Sequence, residues 1–113
     1  MVKWSVPDRG DIIWIDFDLQ RGNERMKRLP ALVLSTRAYN AVWGLCVLCP
    51  ITSQPKGYVQ EVPIDGLDKV SVVLCDQVKS FDWRTRNAAF IAKAPEALVA
   101  EVVEYVAALI GAP

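Results

Sequence analysis

The chain has 113 residues, of which 52% are hydrophobic and 23% charged, and this size and composition suit one globular domain over residues 1–113 with a sizeable buried core. Thirteen basic and thirteen acidic residues give a formal net charge of zero and a pI near 6.2, which excludes a protein that holds nucleic acid mainly by bulk charge. No apolar run of about 18 residues is present to span a membrane, and Met1 to Pro7 lack the apolar core of a signal peptide, so the expected location is the cytoplasm.

Taken in chain order, short β-rich runs are punctuated by Gly, Pro and Asn. Asp11 to Asp18 alternates, with Ile13, Ile15 and Phe17 on one face and Asp16 and Asp18 on the other, which predicts a half-buried strand with both aspartates toward solvent. Leu19 to Leu29 carries Gly22 and the charges Arg21, Glu24, Arg25, Lys27 and Arg28, the composition of a long solvated loop. Pro30 to Thr36 reads as a second strand, Ala38-Tyr39-Asn40 as a turn or one helical turn, and Trp43 to Ile51 as a third strand. After the loop Thr52 to Gly57, further strands are predicted over Val59 to Ile64, Val70 to Lys79 and Ala88 to Ala92, separated by an Asp65-Gly66 turn and the polar stretch Asp82 to Asn87. The periodicity then changes. Pro95 suits the first position of a helix whose stripe is Leu98, Val102, Tyr105, Val106 and Leu109, with Glu96, Glu101 and Glu104 off the stripe and Gly111 just past its end. The expected fold is mainly β with a C-terminal α-helix, a small SH3-like barrel.

Three cysteines at 46, 49 and 75 sit in apolar runs, as small hydrophobes do. Cys46 and Cys49 have the C-x2-C spacing of metal sites, but the chain contains no histidine and cannot complete a four-ligand zinc set from three cysteines. The sequence also lacks a glycine-rich phosphate loop and a Gly-x-Ser-x-Gly elbow. No cofactor and no metal are expected, and the chemistry that remains is one in which the substrate brings its own nucleophile.

RNA is such a substrate, because its 2′-hydroxyl attacks the adjacent phosphate when a proton acceptor, a donor and a stabilising charge are supplied. A guanidinium suits the charge, pairing bidentately with phosphate oxygens at every working pH. The Thr52 hydroxyl is a candidate to donate a further hydrogen bond to the same phosphate, and Glu24 a candidate acceptor of the proton. On residue type alone Thr52 serves equally to hydrogen-bond its own turn, and Arg84 and Arg86 to form a solvated charge pair. Basic candidates for an RNA patch are Arg21, Arg25, Lys27, Arg28, Lys56, Lys79, Arg84 and Arg86, with Trp14, Tyr58 or Trp83 for base stacking.

Several ordered blocks resemble the MazF/PemK toxins. They are Val6 to Asp11 followed by Ile12, Trp14, Asp16, Phe17 and Asp18; Gly22-Asn23-Glu24; Pro30 to Ser35 with Tyr39-Asn40; Pro50 to Ser53 with Lys56-Gly57-Tyr58; and Asp76 to Ser80 with Asp82-Trp83-Arg84 and Arg86. The resemblance implies a homodimeric, metal-independent endoribonuclease, an mRNA interferase that cuts single-stranded RNA at a short recognition sequence. The products would be a 2′,3′-cyclic phosphate and a 5′-hydroxyl, and a MazE/PemI-like antitoxin would neutralise the toxin. It assigns catalysis to Thr52 and RNA contacts to Gln77 and the later basic residues. It also places a catalytic arginine at position 29, where this chain has Leu29. If Arg28 lies in the strand its side chain points away from the face of position 29; if the loop runs irregularly to Pro30, then Arg28, Lys27 or Arg25 takes over. Leu29 therefore leaves open an inactivated toxin and a non-catalytic member that binds RNA or antitoxin; a gyrase-binding toxin of the similar CcdB kind is a further class, against which the Thr52 block counts.

Overall fold

The computed structural model describes residues 5–17 and 27–112. Seven strands, β1 (Asp11–Asp16), β2 (Arg28–Val33), β3 (Leu45–Thr52), β4 (Glu61–Ile64), β5 (Ser71–Leu74), β6 (Lys79–Asp82) and β7 (Ala89–Lys93), accompany two helices, α1 (Arg37–Trp43) and α2 (Glu96–Leu109). The sheet runs β4-β5-β3-β2-β1-β7, with β6 paired to β3 off that path, and every pairing is antiparallel. β3 is the strand on which the sheet curls: Leu45 to Leu48 pair β6, Leu48 to Pro50 pair β2, and its last two residues pair β5. This is the mainly β architecture with a C-terminal helix that the sequence predicts, and the sheet of the expected small barrel is curled into a half-barrel.

Side-chain alternation divides the core across the sheet. Ile12, Leu32, Cys49, Ile51, Val62 and Val73 pack with Val99 and Val102 of α2, whereas Ile13, Ile15, Ala31, Val33, Cys46 and Leu48 pack with Trp83. Cys46 and Cys49 are three residues apart in β3 and so fall into different clusters, which splits the C-x2-C pair. Burial pushes the thiols of Cys46 and Cys49 up to about 12 and that of Cys75 to about 11, so all three are protonated at neutral pH.

Several sequence expectations are corrected. The segment at Ala38-Tyr39-Asn40 is a full helix, α1, because Thr36 Oγ1 caps the Tyr39 N–H and Gly44 closes it in the left-handed region at φ 67. Its one buried residue, Asn40, donates to the Pro7 carbonyl at 2.8 Å and accepts from the indole N–H of Trp83 through its own carbonyl at 3.0 Å. The predicted strand Val70 to Lys79 is broken by a 3-10 turn over Cys75–Gln77. Pro95 precedes the first helical residue of α2 as its cap position. In α2 the packed face is Leu98, Val99, Val102, Val103 and Val106, while Tyr105 and Leu109 of the expected stripe are exposed. Glu101 and Glu104 are exposed as expected. Among the described residues no helix is long and apolar enough to cross a membrane.

The most consequential correction is Asp16, which is 3% exposed rather than solvent-facing. Its carboxylate accepts from Arg28 at 3.0 Å and from the Asn87 side chain at 2.8 Å. Its N–H donates to the Arg86 carbonyl, and its carbonyl accepts from the Arg86 guanidinium. Burial pushes its pKa up, but the hydrogen bonds from Asn87 and Arg28 and the charges of Arg28 and Arg86 outweigh it and hold the carboxyl below the usual range. A folded pKa below the unfolded one stabilises the fold above about pH 4 and loses that contribution as pH falls through the folded value. Asp16→Ala is expected to cost about 2 kcal/mol in denaturant unfolding, and Asp16→Asn to flatten the acid limb of a Tm against pH profile; an unchanged acid limb would show that Asp16 is not the linked group.

Candidate functional site

An open groove of about 990 Å3 runs along the ends of β1, β2 and β3 to the 3-10 turn. It brings together Lys27, Leu29, Thr52, Lys56 and Gln77 from the sequence-predicted set, with Trp14 and Tyr58 on its walls. Lys27, Lys56 and Lys69 supply positive charge, while Glu61, Asp68 and Asp76 supply negative charge. This even mixture matches the zero net charge of the whole chain, so recognition here depends on where each charge stands and not on an overall basic field.

Thr52 ends β3 and is half-buried. Its Oγ1 accepts from the Gln54 N–H at 3.1 Å. The turn reading is therefore correct, and it is compatible with the chemical one, because a hydroxyl that accepts in its turn keeps its own hydrogen to donate. The turn fixes where that donor points.

The loop beyond Thr52 is organised by Glu61, which sequence reasoning did not single out. Its carboxylate accepts from the backbone N–H groups of Lys56 at 3.1 Å, Gly57 at 2.8 Å and Tyr58 at 3.3 Å. Consecutive amides converging on one anion form a nest, and the tight path uses Gly57 at φ 83. The nest holds Lys56 and the exposed ring of Tyr58 at the groove. The available sequence signal was a carboxylate a few residues beyond Lys56-Gly57-Tyr58 in a polar loop. Next to Glu61, the Gln60 side chain donates to Asp76 at 3.4 Å, beside Gln77.

Other predicted residues lie elsewhere. Arg28 is in β2, paired with Asp16, and does not border the groove. Arg86 is not a solvated charge: its guanidinium lies 3.8 Å over the Phe81 ring and donates to the carbonyls of Asp16 and Phe17. Arg84 is exposed but lies 4.8 Å over the Trp83 ring, and Trp83 itself is buried with its N–H used, so it has no face for a base. Lys79 is exposed on β6, outside the groove lining. Glu24, Arg25 and Arg21 lie outside the described residues. Among the described residues no group of three or more His, Cys, Asp or Glu side chains is arranged to hold a metal ion.

Residues 8–110 match the family model described as PemK-like, MazF-like toxin of type II toxin-antitoxin system. The chain is 49% identical over 88 residues, 78% of its length and 79% of the relative's, to the endoribonuclease toxin MazF of Escherichia coli K12. Its fold matches the crystal structure of MazF (form I) from Deinococcus radiodurans with a TM-score of 0.85 at 46% identity, covering 95% of this chain and 98% of that one. It matches the MazE-MazF crystal structure (form III) from the same organism with a TM-score of 0.87 at 44% identity, covering 96% and 100% of the two chains. By both sequence and fold, the chain belongs to the PemK-like, MazF-like family of type II toxin-antitoxin toxins.

Proposed function

We propose that this toxin is an endoribonuclease, an mRNA interferase that cuts single-stranded RNA at a short recognition sequence without a metal ion. The observation that carries the reading is the Thr52 hydroxyl, held by its own turn in a groove shared with Lys27, Lys56 and Gln77, in a chain that matches the toxin family over residues 8–110. In the proposed reaction the 2′-hydroxyl oxygen bonds to the adjacent phosphorus and the bond from phosphorus to the 5′-oxygen breaks. A 2′,3′-cyclic phosphate and a 5′-hydroxyl result: the 2′ proton passes to a carboxylate, and the leaving 5′-oxygen takes a proton from water. Glu24 keeps the acceptor role, and Arg25 an RNA contact, on the resemblance alone.

Thr52 is assigned to donate to a non-bridging phosphate oxygen, where charge accumulates in the transition state. Lys56 is assigned to the phosphate backbone, Gln77 to a base edge through its paired donor and acceptor, and Tyr58 and Trp14 to base stacking. Lys79 and Arg84 lie outside the groove and are assigned only peripheral RNA contacts. Arg28 and Arg86 act as positioning residues, tying β1 to β2 and to the turn before β7. DNA is spared because it lacks the 2′-hydroxyl. The toxin is proposed to work in the cytoplasm as a homodimer of this single domain, and to be neutralised by a MazE/PemI-like antitoxin, in keeping with the MazE-MazF complex that its fold matches.

Leu29 in the groove favours a second reading, a member that binds RNA or antitoxin without cutting. The two are separated by incubating the chain with long single-stranded RNA in the presence of chelator and mapping the new 5′ ends. Discrete cuts, abolished by a 2′-deoxy substitution at the cut site, are expected; intact RNA favours the binding reading. Thr52→Val should lower the cleavage rate about a hundredfold, the usual effect of deleting one oxyanion donor, with little change in Tm; an equal rate would remove Thr52 from the chemistry. Glu61→Ala should release the nest, read as faster amide hydrogen exchange at Lys56, Gly57 and Tyr58 together with weaker RNA binding, while Glu61→Gln retains part of both. Unchanged exchange at those amides would contradict the role given to Glu61.

A further inference from the structure

We propose that Lys27 is a catalytic residue of this toxin, its ammonium taking the phosphate-stabilising place that position 29 cannot fill in this chain. The inference rests on the RNA-cleaving reading above and follows from strand register. β2 and β3 pair Val33 with Leu48, Leu32 with Cys49 and Ala31 with Pro50. Continuing that register sets Leu29 opposite Thr52, so the residue facing the catalytic hydroxyl across the strands is an aliphatic side chain with no charge to offer. The next cation along the chain, Arg28, is on the other side of the strand by the two-residue period and is held by Asp16 at 3.0 Å.

Lys27 is the following residue on the side of Leu29. Its carbonyl accepts from the Phe17 N–H at 2.7 Å, which carries the β1-β2 ladder one step past the Asp16 and Arg28 pair. That bond gives Lys27 a defined register, diagonal to Thr52. Diagonal cross-strand neighbours stand about 7–8 Å apart, a gap that long side chains span. Lys27 is exposed and borders the same groove as Thr52 and Leu29. The other groove lysines are placed differently: Lys56 belongs to the nest loop beyond Thr52, and Lys69 follows Asp68 in the segment before β5. An ammonium is a mobile point charge without a guanidinium's fork. It serves charge neutralisation while leaving the orientation of the phosphate to Thr52.

The test compares the parent chain, Lys27→Met, Lys27→Arg, Leu29→Arg and the double variant Lys27→Met/Leu29→Arg. The cleavage rate is measured at saturating single-stranded RNA, and binding is measured with an uncleavable oligonucleotide carrying a 2′-deoxy residue at the cut site. The expected result is a rate about a hundredfold lower for Lys27→Met, with much smaller loss of binding, a parent-like rate for Lys27→Arg, and rescue in the double variant. Rescue by a charge two positions away is not something a merely structural lysine would show. Equal rates for the parent and Lys27→Met would overturn the assignment and leave the ribonuclease reading intact. A silent parent with an active Leu29→Arg variant would overturn it as well, showing that the groove cuts RNA only with a cation at position 29. RNA left intact by every chain would overturn the ribonuclease reading, and Lys27 with it.

Discussion

The buried carboxylate of Asp16 is the point on which the groove depends. One residue takes a guanidinium from β2 and an amide from the turn before β7, while its backbone N–H donates to the Arg86 carbonyl and its carbonyl accepts from the Arg86 guanidinium. A carboxylate this deeply buried is tolerated only when its charge and lone pairs are matched, and here all the partners converge at the end of β1. The consequence is geometric: the start of β2 and the turn carrying Arg86 are fixed relative to β1, and the groove wall at Phe17, Lys27 and Leu29 inherits that position.

The same constraint sorts the basic residues by task. Arg28 and Arg86 have planar guanidinium groups that suit simultaneous contacts with oxygens and with an aromatic face, and both are spent on the protein itself. Lysines border the groove instead. With as many carboxylates as lysines around it, the groove does not attract RNA by field strength alone. On the proposed reading, affinity comes from stacking on Tyr58 and Trp14 and from a few placed contacts, an arrangement that favours sequence-dependent binding over general retention of nucleic acid.

Much of this was legible from the chain alone. Two-residue alternation gave the faces of β1, and the apolar spacing after Pro95 gave α2, because local sterics and burial act directly on those patterns. What escaped was non-local. Asp16 reads as a solvent-facing residue of an alternating strand, and nothing within a few residues of it announces Asn87 or Arg86, about seventy positions away. Glu61 was missed for a related reason: its partners are backbone amides, which carry no side-chain signature. Trp83 and Arg86 were read as surface residues because turn sequences are usually solvated, whereas here the turn folds back onto α1 and β1. In α2 spacing alone draws the stripe through Tyr105 and Leu109, but the packed face runs through Leu98, Val99, Val102, Val103 and Val106.

The central claim is that RNA is cut between the ends of β2 and β3, at the Thr52 hydroxyl. The most direct test is a crystal structure of the chain with a short RNA made uncleavable by one 2′-deoxy residue. The account predicts the phosphate following that residue within hydrogen-bond distance of Thr52 Oγ1, with flanking bases against Tyr58 or Trp14. A phosphate seated instead in the smaller pocket bounded by Asp8, Arg9, Lys93 and Glu96, with the groove empty, would contradict it.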